Sequence, residues 1–254
     1  ALGLCSGFGI PVAQCFGAQN YSMMRKHVAN ALYLCLFATI LLTTITLFTT
    51  PSLLRLMQTP SDIYQDSYTY ISIMFMGIIA TIYYNMLSSI LRALGDSKTP
   101  LLFLAVASII NVILDYTFVV YFKMGVAGVA WATLIAQAIS AVLCAFFMAK
   151  HFPILKFSKE ELKLDGHCCK ELLAIGLPMA LQFSITAVGS VMIQTAINGL
   201  GSAKVAAVTA ANKIQMMFTQ PLDTLGTTMA TYCGQNLGAK KIDRIKDGLK
   251  KSFL

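Results

Sequence analysis

Three ionisable side chains that lie inside long apolar segments are the residues of this sequence best placed to do chemistry. They are Asp115, Lys213 and Asp223. Asp115 is the only charged residue in 99–122, and Asn111 precedes it by four positions, which places both on one face of a helix. A charge in apolar surroundings is costly unless it meets a partner or a cavity. Each of the three is therefore a candidate for binding a proton or a cation.

Each of these charges also has a purely structural interpretation. Asp115 could cap a neighbouring helix, and Lys213 could extend its amine to the surface. Asp223 follows Pro221, where a broken helix would leave free carbonyls that could help to hold an ion. Lys213 and Asp223 are about 15 Å apart along a helix that rises 1.5 Å per residue, too far for a direct pair.

Uncharged polar side chains in the same apolar segments are a second set of candidates, either lining a cleft or bonding one helix to another. They are Gln137, Gln182, Gln194, Asn198 and Asn212. The 13 methionines and the many aromatic residues could line an adaptable cleft for flat cations or could simply pack.

The composition predicts that these residues are positioned by membrane-spanning helices. Of the 254 residues, 57% are hydrophobic and only 12% are charged, against about 25% in a soluble domain. A helix crosses the bilayer core in about 20 residues. The apolar segments predict seven helices of an all-α integral membrane protein, at 1–16, 28–50, 64–91, 99–122, 126–149, 172–203 and 205–238.

The stretch 91–100 predicts a tight turn between two of these helices. Gly95 allows a backbone conformation closed to most residues, Asp96 follows it, and Pro100 suits the first turn of a helix. Arg92 and Lys98 favour the cytoplasmic side for this turn.

The basic residues predict the orientation of the chain. Of the 19 Lys and Arg residues, all but Arg55, Lys123, Lys204 and Lys213 fall in alternate connections between the predicted helices. This asymmetry predicts that those connections are cytoplasmic in a multi-pass protein of the plasma membrane. The longest connection, 151–171, reads as a solvated linker, with a short helix begun by the capping box of Ser158 and Glu161.

An internal repeat predicts two related bundles. Residues 14–18, which contain Gly17, recur as 235–239, which contain Gly238, at an offset of 221. Six predicted helices separate the copies, so the repeat is of the parallel type. We expect an N-terminal lobe at 1–150, the linker at 151–171 and the start of a second lobe at 172–254. The chain would be a fragment holding helices 2–8 of two six-helix bundles, and we expect that it does not function alone.

Several classes of function are disfavoured. The net charge of +8 is spread over the connections and does not predict nucleic-acid binding. The seven cysteines have no metal-ligand spacing, so we expect no metal site. The three histidines lie outside the predicted spans and no HExxH or GxSxG motif occurs, so we expect no enzyme. Nothing resembles the filter motif of a channel.

The sequence resembles the multidrug and toxic compound extrusion (MATE) transporters. The resemblance rests on six stretches that occur in the order of that family, at 91–100, 111–115, 125–133, 175–178, 205–207 and 234–239. It implies two six-helix lobes around a V-shaped cleft. It also implies export of amphiphilic organic cations driven by Na⁺ or H⁺, with no other cofactor, by a monomer in the lipid bilayer.

One departure from the family leaves the coupling ion open. Sodium-coupled members are expected to carry a glutamate in helix 7, but 172–203 has no acid, and Thr186 stands near its place. Proton-coupled members are expected to carry an aspartate in helix 1, which we expect to lie outside this fragment. Asp115 and Asp223 are then the acids able to couple transport. The alternative is a lipid-linked oligosaccharide flippase of the same superfamily, whose cleft would need several basic residues, whereas only Lys213 lies in the spans.

Overall fold

A computed structural model describes residues 2–56, 61–198 and 202–252. Within these ranges the chain forms nine α-helices and confirms the predicted all-α class. They are α1 (Leu2–Gly17), α2 (Tyr21–Leu56), α3 (Ser61–Met76), α4 (Ile78–Ala93), α5 (Lys98–Tyr116), α6 (Gly125–His151), α7 (Gly166–Asn198), α8 (Ser202–Gly238) and α9 (Ile242–Ser252). A π-helical turn, Thr117–Tyr121, extends α5, and a 3₁₀ turn, Pro153–Leu155, follows α6.

Within the described ranges, four helices are long and apolar enough to cross a membrane. They are α2, α5 with its π-helical turn, α6 and the first 25 residues of α7. The bent pair α3 and α4 makes a fifth pass if the two helices count as one span. Over its described residues α8 does not meet this criterion, because Lys213, Asp223 and several Gln, Asn and Thr residues interrupt its apolar run.

The predicted span 64–91 is broken. Its two halves, α3 and α4, meet at Gly77 with an angle of 41°. Gly77 contacts the side chain of Leu134 on α6 so closely that an added Cβ would lie 3.0 Å from its Cδ1. Because glycine disfavours the helix interior and lets a neighbour approach, the chain bends where α6 packs against it.

The predicted end of the second helix at residue 50 is wrong, because α2 continues through Pro51 to Leu56. Proline lacks the N–H that would bond the carbonyl of Leu47. α2 nevertheless continues through this position, and the hydroxyls of Thr49 and Thr50 donate to the carbonyls of Ile45 and Thr46 one turn earlier.

The short helix α1 lies at the centre of the molecule and packs against α4, α7 and α8. Phe8 and Val12 on it are completely buried. Its glycines allow the close approach: a Cβ on Gly7 would lie 2.6 Å from the Cα of Gly176 on α7. The glycine-rich composition of α1 thus positions the two long helices α7 and α8 against the first bundle.

The segment between α6 and α7 is fastened to the start of α2. Arg25 donates to both carboxylate oxygens of Glu161, from Nε and Nη2, each at 2.7 Å, and Nη1 donates to the carbonyl of Ile154 at 3.1 Å. The Arg25 guanidinium, with the Ser158 N–H, holds the pKa of Glu161 down at about 2. Glu161 is buried although the segment around it is charged.

The predicted helix at Ser158–Glu161 does not form. The capping bond does: the N–H of Ser158 donates to Oε2 of Glu161 at 2.9 Å. The chain nevertheless makes only a turn there. The Glu161 carboxylate also accepts hydrogen bonds from Arg25 on α2. This contact holds the turn against α2, and the turn does not continue as a helix.

Two further contacts tie the start of α7 to α2. Nε2 of buried His27 lies 2.8 Å from a carboxylate oxygen of Glu171. Oδ1 of Asn30 accepts the N–H of Asp165 at 2.9 Å. α7 therefore begins at Gly166, inside the predicted linker. The carboxyl of Asp165 caps this helix by accepting the N–H of His167, and that hydrogen bond lowers the pKa of Asp165.

Candidate functional site

The carboxylate of Asp115 is the least satisfied acid inside the helical bundle. Asp115 is half-buried on α5, and its Oδ1 is buried with no hydrogen-bond partner among the described residues. One turn earlier, Nδ2 of Asn111 lies 3.4 Å from Oγ1 of Thr133 on α6. Carboxylate, amide and hydroxyl oxygens are ligands for hard cations.

A second polar layer in the same bundle already has its partners. Oγ1 of Thr81 on α4 donates to Oε1 of Gln137 on α6, and Nδ2 of Asn85 donates to the carbonyl of Thr81 at 2.7 Å. Gln137 thus has the interhelical role that the sequence left as one of two alternatives. Oγ of Ser72 and Oγ of Ser140 are also buried without a partner among the described residues, so Asp115 is distinguished as the acid with spare capacity for a ligand.

The candidates on α7 and α8 lie apart from this bundle site. Gln182, Asn212, Lys213 and Asp223 are all exposed. Among the described residues, no hydrogen bond or ion pair joins their side chains to each other or to Asp115. The side chains of Gln194 and Asn198 lie outside the described residues.

The turn after α4 is determined by residues within the turn itself. Gly95 has a φ of +91°, in the left-handed region that favours glycine. Oδ1 of Asp96 accepts the N–H groups of Lys98 and Thr99, at 3.2 and 3.0 Å. Asp96 thereby satisfies two of the free donors at the start of α5.

Arg92 lies in the last turn of α4 rather than in the connecting turn itself. It lines a small hydroxyl-rich pocket between α1, α4, α7 and α8, and its Nη1 donates to Oγ of Ser88 at 3.1 Å. The sequence analysis missed the hydroxyl residues that share this pocket, which are Ser6, Ser89, Thr227 and Thr231. The paired hydroxyl residues at 88–89 and 227–228, inside apolar or half-apolar segments, are the signal that could have found them.

The two copies of the repeat form the same turn. In the first copy the N–H of Ala18 donates to the carbonyl of Gln14 at 2.9 Å. In the second copy the N–H of Ala239 donates to the carbonyl of Gln235 at 3.0 Å. Gln19 and Lys240, which are 221 positions apart, both have a φ of 57°. The helices that follow the two turns, α2 and α9, begin at Tyr21 and Ile242, which are also 221 positions apart.

These two turns also meet in space, where α1 crosses α8. A Cβ on Gly17 would collide with the carbonyl of Gln235, and a Cβ on Gly238 would collide with the carbonyl of Gln14. Nε2 of Gln235 also donates to the carbonyl of Ala93 at the end of α4, at 2.8 Å. The basic end of the molecule, defined as the end that carries these turns and the segment 152–165, is therefore closed by backbone-to-backbone contact between α1 and α8.

At the other end, α7 and α8 expose apolar side chains. Ile185, Met192, Met217 and Phe218 are each at least 69% exposed. The molecule is thus closed at the basic end, and α7 and α8 present exposed polar and apolar side chains away from the crossing.

The family model MatE matches residues 1–117 and 178–254 of the chain. The chain is 35% identical over 203 residues to a probable multidrug resistance protein, YpnP of Bacillus subtilis, covering 78% of this chain and 44% of that protein. It is 27% identical to another, YoeA of the same organism, covering 98% and 55%. A crystal structure of MATE in the bent conformation superposes with a TM-score of 0.88 at 22% identity, covering 99% and 56%. The chain spans about half the length of the relatives that it matches.

Proposed function

Because this chain belongs to the MatE family of membrane transporters, we propose that the whole protein is a secondary active antiporter that exports amphiphilic organic cations in exchange for Na⁺ or H⁺. The names of the relatives, which are probable multidrug resistance proteins, support this class of substrate. The observation that carries the proposal is the buried, unpartnered carboxylate oxygen of Asp115.

Asp115 binds the coupling ion in this mechanism. Its buried carboxylate is costly when charged and alone, so a proton or a Na⁺ at Oδ1 lowers that cost. Asn111 and Thr133 supply further oxygens from the same two helices, α5 and α6. Binding shifts the balance between two arrangements of the bundle by the difference in ion affinity between them.

The basic end faces the cytoplasm in this proposal. The excess of Lys and Arg in its connections supports that orientation. The crossing of α1 and α8 at Gly17 and Gly238 then closes the cytoplasmic side. The exposed Met and Phe side chains of α7 and α8 would offer an adaptable surface to flat cations from the other side.

The experiment is dye efflux by the whole protein in everted vesicles, with Na⁺ and H⁺ gradients imposed separately. We expect one gradient to drive efflux and Asp115→Asn to reduce that drive at least tenfold. Asp66→Asn is the matched control, because Asp66 is an exposed acid on α3. Drive by neither gradient would contradict antiport. Loss in Asp223→Asn with full activity in Asp115→Asn would move the coupling site to α8.

One observation favours the flippase as a second candidate. Arg92 lies among hydroxyl groups between α1, α4, α7 and α8, and these donors would bind a phosphate group if the helices separated, since the pocket of about 10 Å³ now has room for one water molecule. A lipid-linked oligosaccharide moved across proteoliposomes by the wild type but not by Arg92→Gln, with Lys98→Gln as the control, would support that function. Dye efflux that Arg92→Gln leaves unchanged would count against it.

A further inference from the structure

An apolar cavity of about 330 Å³ lies at the basic end between α2, α4, α6 and the segment that follows α6. Its walls are formed by aliphatic and aromatic side chains, among them Val28, Leu32, Leu87, Met148 and Leu155. It is open on one side, and exposed Lys156 and Phe157 stand at its rim. The volume falls in the range of sites that hold small organic groups.

The fold leaves an excess of positive charge beside this cavity. Lys150, Lys156, Lys159 and Lys163 are all exposed at the end of α6 and in the segment after it, and Lys156 lines the cavity. Of the three acids in the same stretch, Glu160 is exposed and offsets one of these lysines, whereas Glu161 is buried in its bidentate contact with Arg25. Asp165 is engaged in capping the start of α7. The segment therefore presents a positive surface beside an apolar cavity.

We propose that this cavity binds an anionic phospholipid of the cytoplasmic leaflet, with one acyl chain between α2 and α6 and the phosphate beside Lys156. The choice of leaflet rests on the proposed orientation of the basic end. The apolar walls favour a hydrocarbon chain. The exposed lysines complement the negative headgroups of that leaflet, and basic pockets between membrane helices on this side bind such headgroups.

The test is photolabelling of the whole protein in lipid nanodiscs. Phosphatidylglycerol with a diazirine in its acyl chain is compared with phosphatidylcholine that carries the same chain, and the labelled peptides are mapped by mass spectrometry. We expect phosphatidylglycerol to label α2 and α6 at the cavity several-fold more than phosphatidylcholine does. Both leaflets of a nanodisc are accessible, so this readout requires neither transport nor a known orientation.

Two variants and one control variant test the contributions of the Lys156 charge and of the open cavity. Lys156→Gln should lower the labelling by phosphatidylglycerol about fivefold, since one lysine near a charged lipid surface contributes about that factor. Ala149→Trp, which fills the cavity from an exposed wall position, should abolish the labelling. Lys163→Gln removes the same charge from the same segment but does not line the cavity, and it should leave the labelling unchanged.

Three outcomes would overturn the proposal. Equal labelling by both lipids would mean that the charge plays no part. Equal losses in Lys156→Gln and Lys163→Gln would mean a general attraction to the surface rather than a site. Absence of label from the cavity would mean that another segment of the whole protein fills it. None of these results bears on dye efflux, so the antiporter proposal can stand or fall separately.

Discussion

The buried ion pair of Arg25 and Glu161 makes the attachment of the segment after α6 depend on pH. The folded protein holds the pKa of Glu161 at about 2, below its usual value of 4.5. A group whose pKa is depressed by folding adds stability above the unfolded pKa. That contribution is therefore complete above about pH 4.5 and is lost as the pH falls towards 2.

We predict that Glu161→Gln lowers the free energy of unfolding by about 2 kcal/mol at pH 7, because Arg25 loses a charged hydrogen-bond partner. The melting temperature of the purified whole protein, measured from pH 7 to pH 3, should also fall less steeply below pH 4.5 in this variant. Glu160→Gln, at the exposed neighbouring position, should behave as the wild type does. An identical pH profile for Glu161→Gln would refute the role of the pair.

Thr133 is the residue beside Asn111 that the sequence analysis did not single out. We predict that Thr133→Val, which keeps the shape and removes the hydroxyl oxygen, raises about tenfold the ion concentration needed for half-maximal efflux. The maximal rate should change less, because Asp115 remains, and Thr133→Ser should restore the affinity. A change in the maximal rate alone, with the ion affinity intact, would assign Thr133 a purely structural role.

At the scale of elements, the crossing of α1 and α8 tolerates only glycine at two positions. We predict that Gly17→Ala and Gly238→Ala each destabilise the whole protein by about 1–3 kcal/mol, because each Cβ would meet a backbone carbonyl that cannot move aside. Thermal unfolding measures this effect. Gly226→Ala on α8 is the control, since nothing lies within 4 Å of its Cβ position, and it should be neutral or stabilising.

The double variant at Gly17 and Gly238 tests whether the two glycines act at one crossing. Residues that share a contact do not contribute additively. The first substitution already separates α1 from α8, so the second should cost less than it does alone. Strict additivity of the two effects would show that the helices do not meet as described.

At the scale of the whole molecule, the distribution of basic residues predicts a single orientation. We predict that Lys98→Cys and Lys156→Cys react with a membrane-impermeant maleimide in inside-out vesicles but not in intact cells. Lys123→Cys, in the short connection between α5 and α6, should show the opposite pattern. The seven free native cysteines are first replaced by alanine. The reverse labelling would place the basic end outside and would contradict the proposed cytoplasmic closure.

Much of this architecture follows from local sequence. Long apolar segments predicted the helical membrane class because crossing a bilayer sets the length of a helix. The turn at Gly95 and Asp96 was predictable because its chemistry lies within a few residues. The repeat at an offset of 221 was visible in the sequence because each copy uses its own backbone bonds to close the turn.

Contacts between distant helices decided the rest. Gly77 breaks a predicted span because of Leu134 on α6, and the Ser158 turn stops short of a helix because Arg25 shares its capping carboxylate. The same holds for the candidate site. The sequence offered Asp115, Gln137 and Asp223 as similar candidates. Tertiary packing satisfied Gln137 and left one buried oxygen of Asp115 without a partner among the described residues, whereas Asp223 is exposed in this chain. A residue's type determines what it can bond, but only its neighbours across the bundle determine whether that capacity is already used.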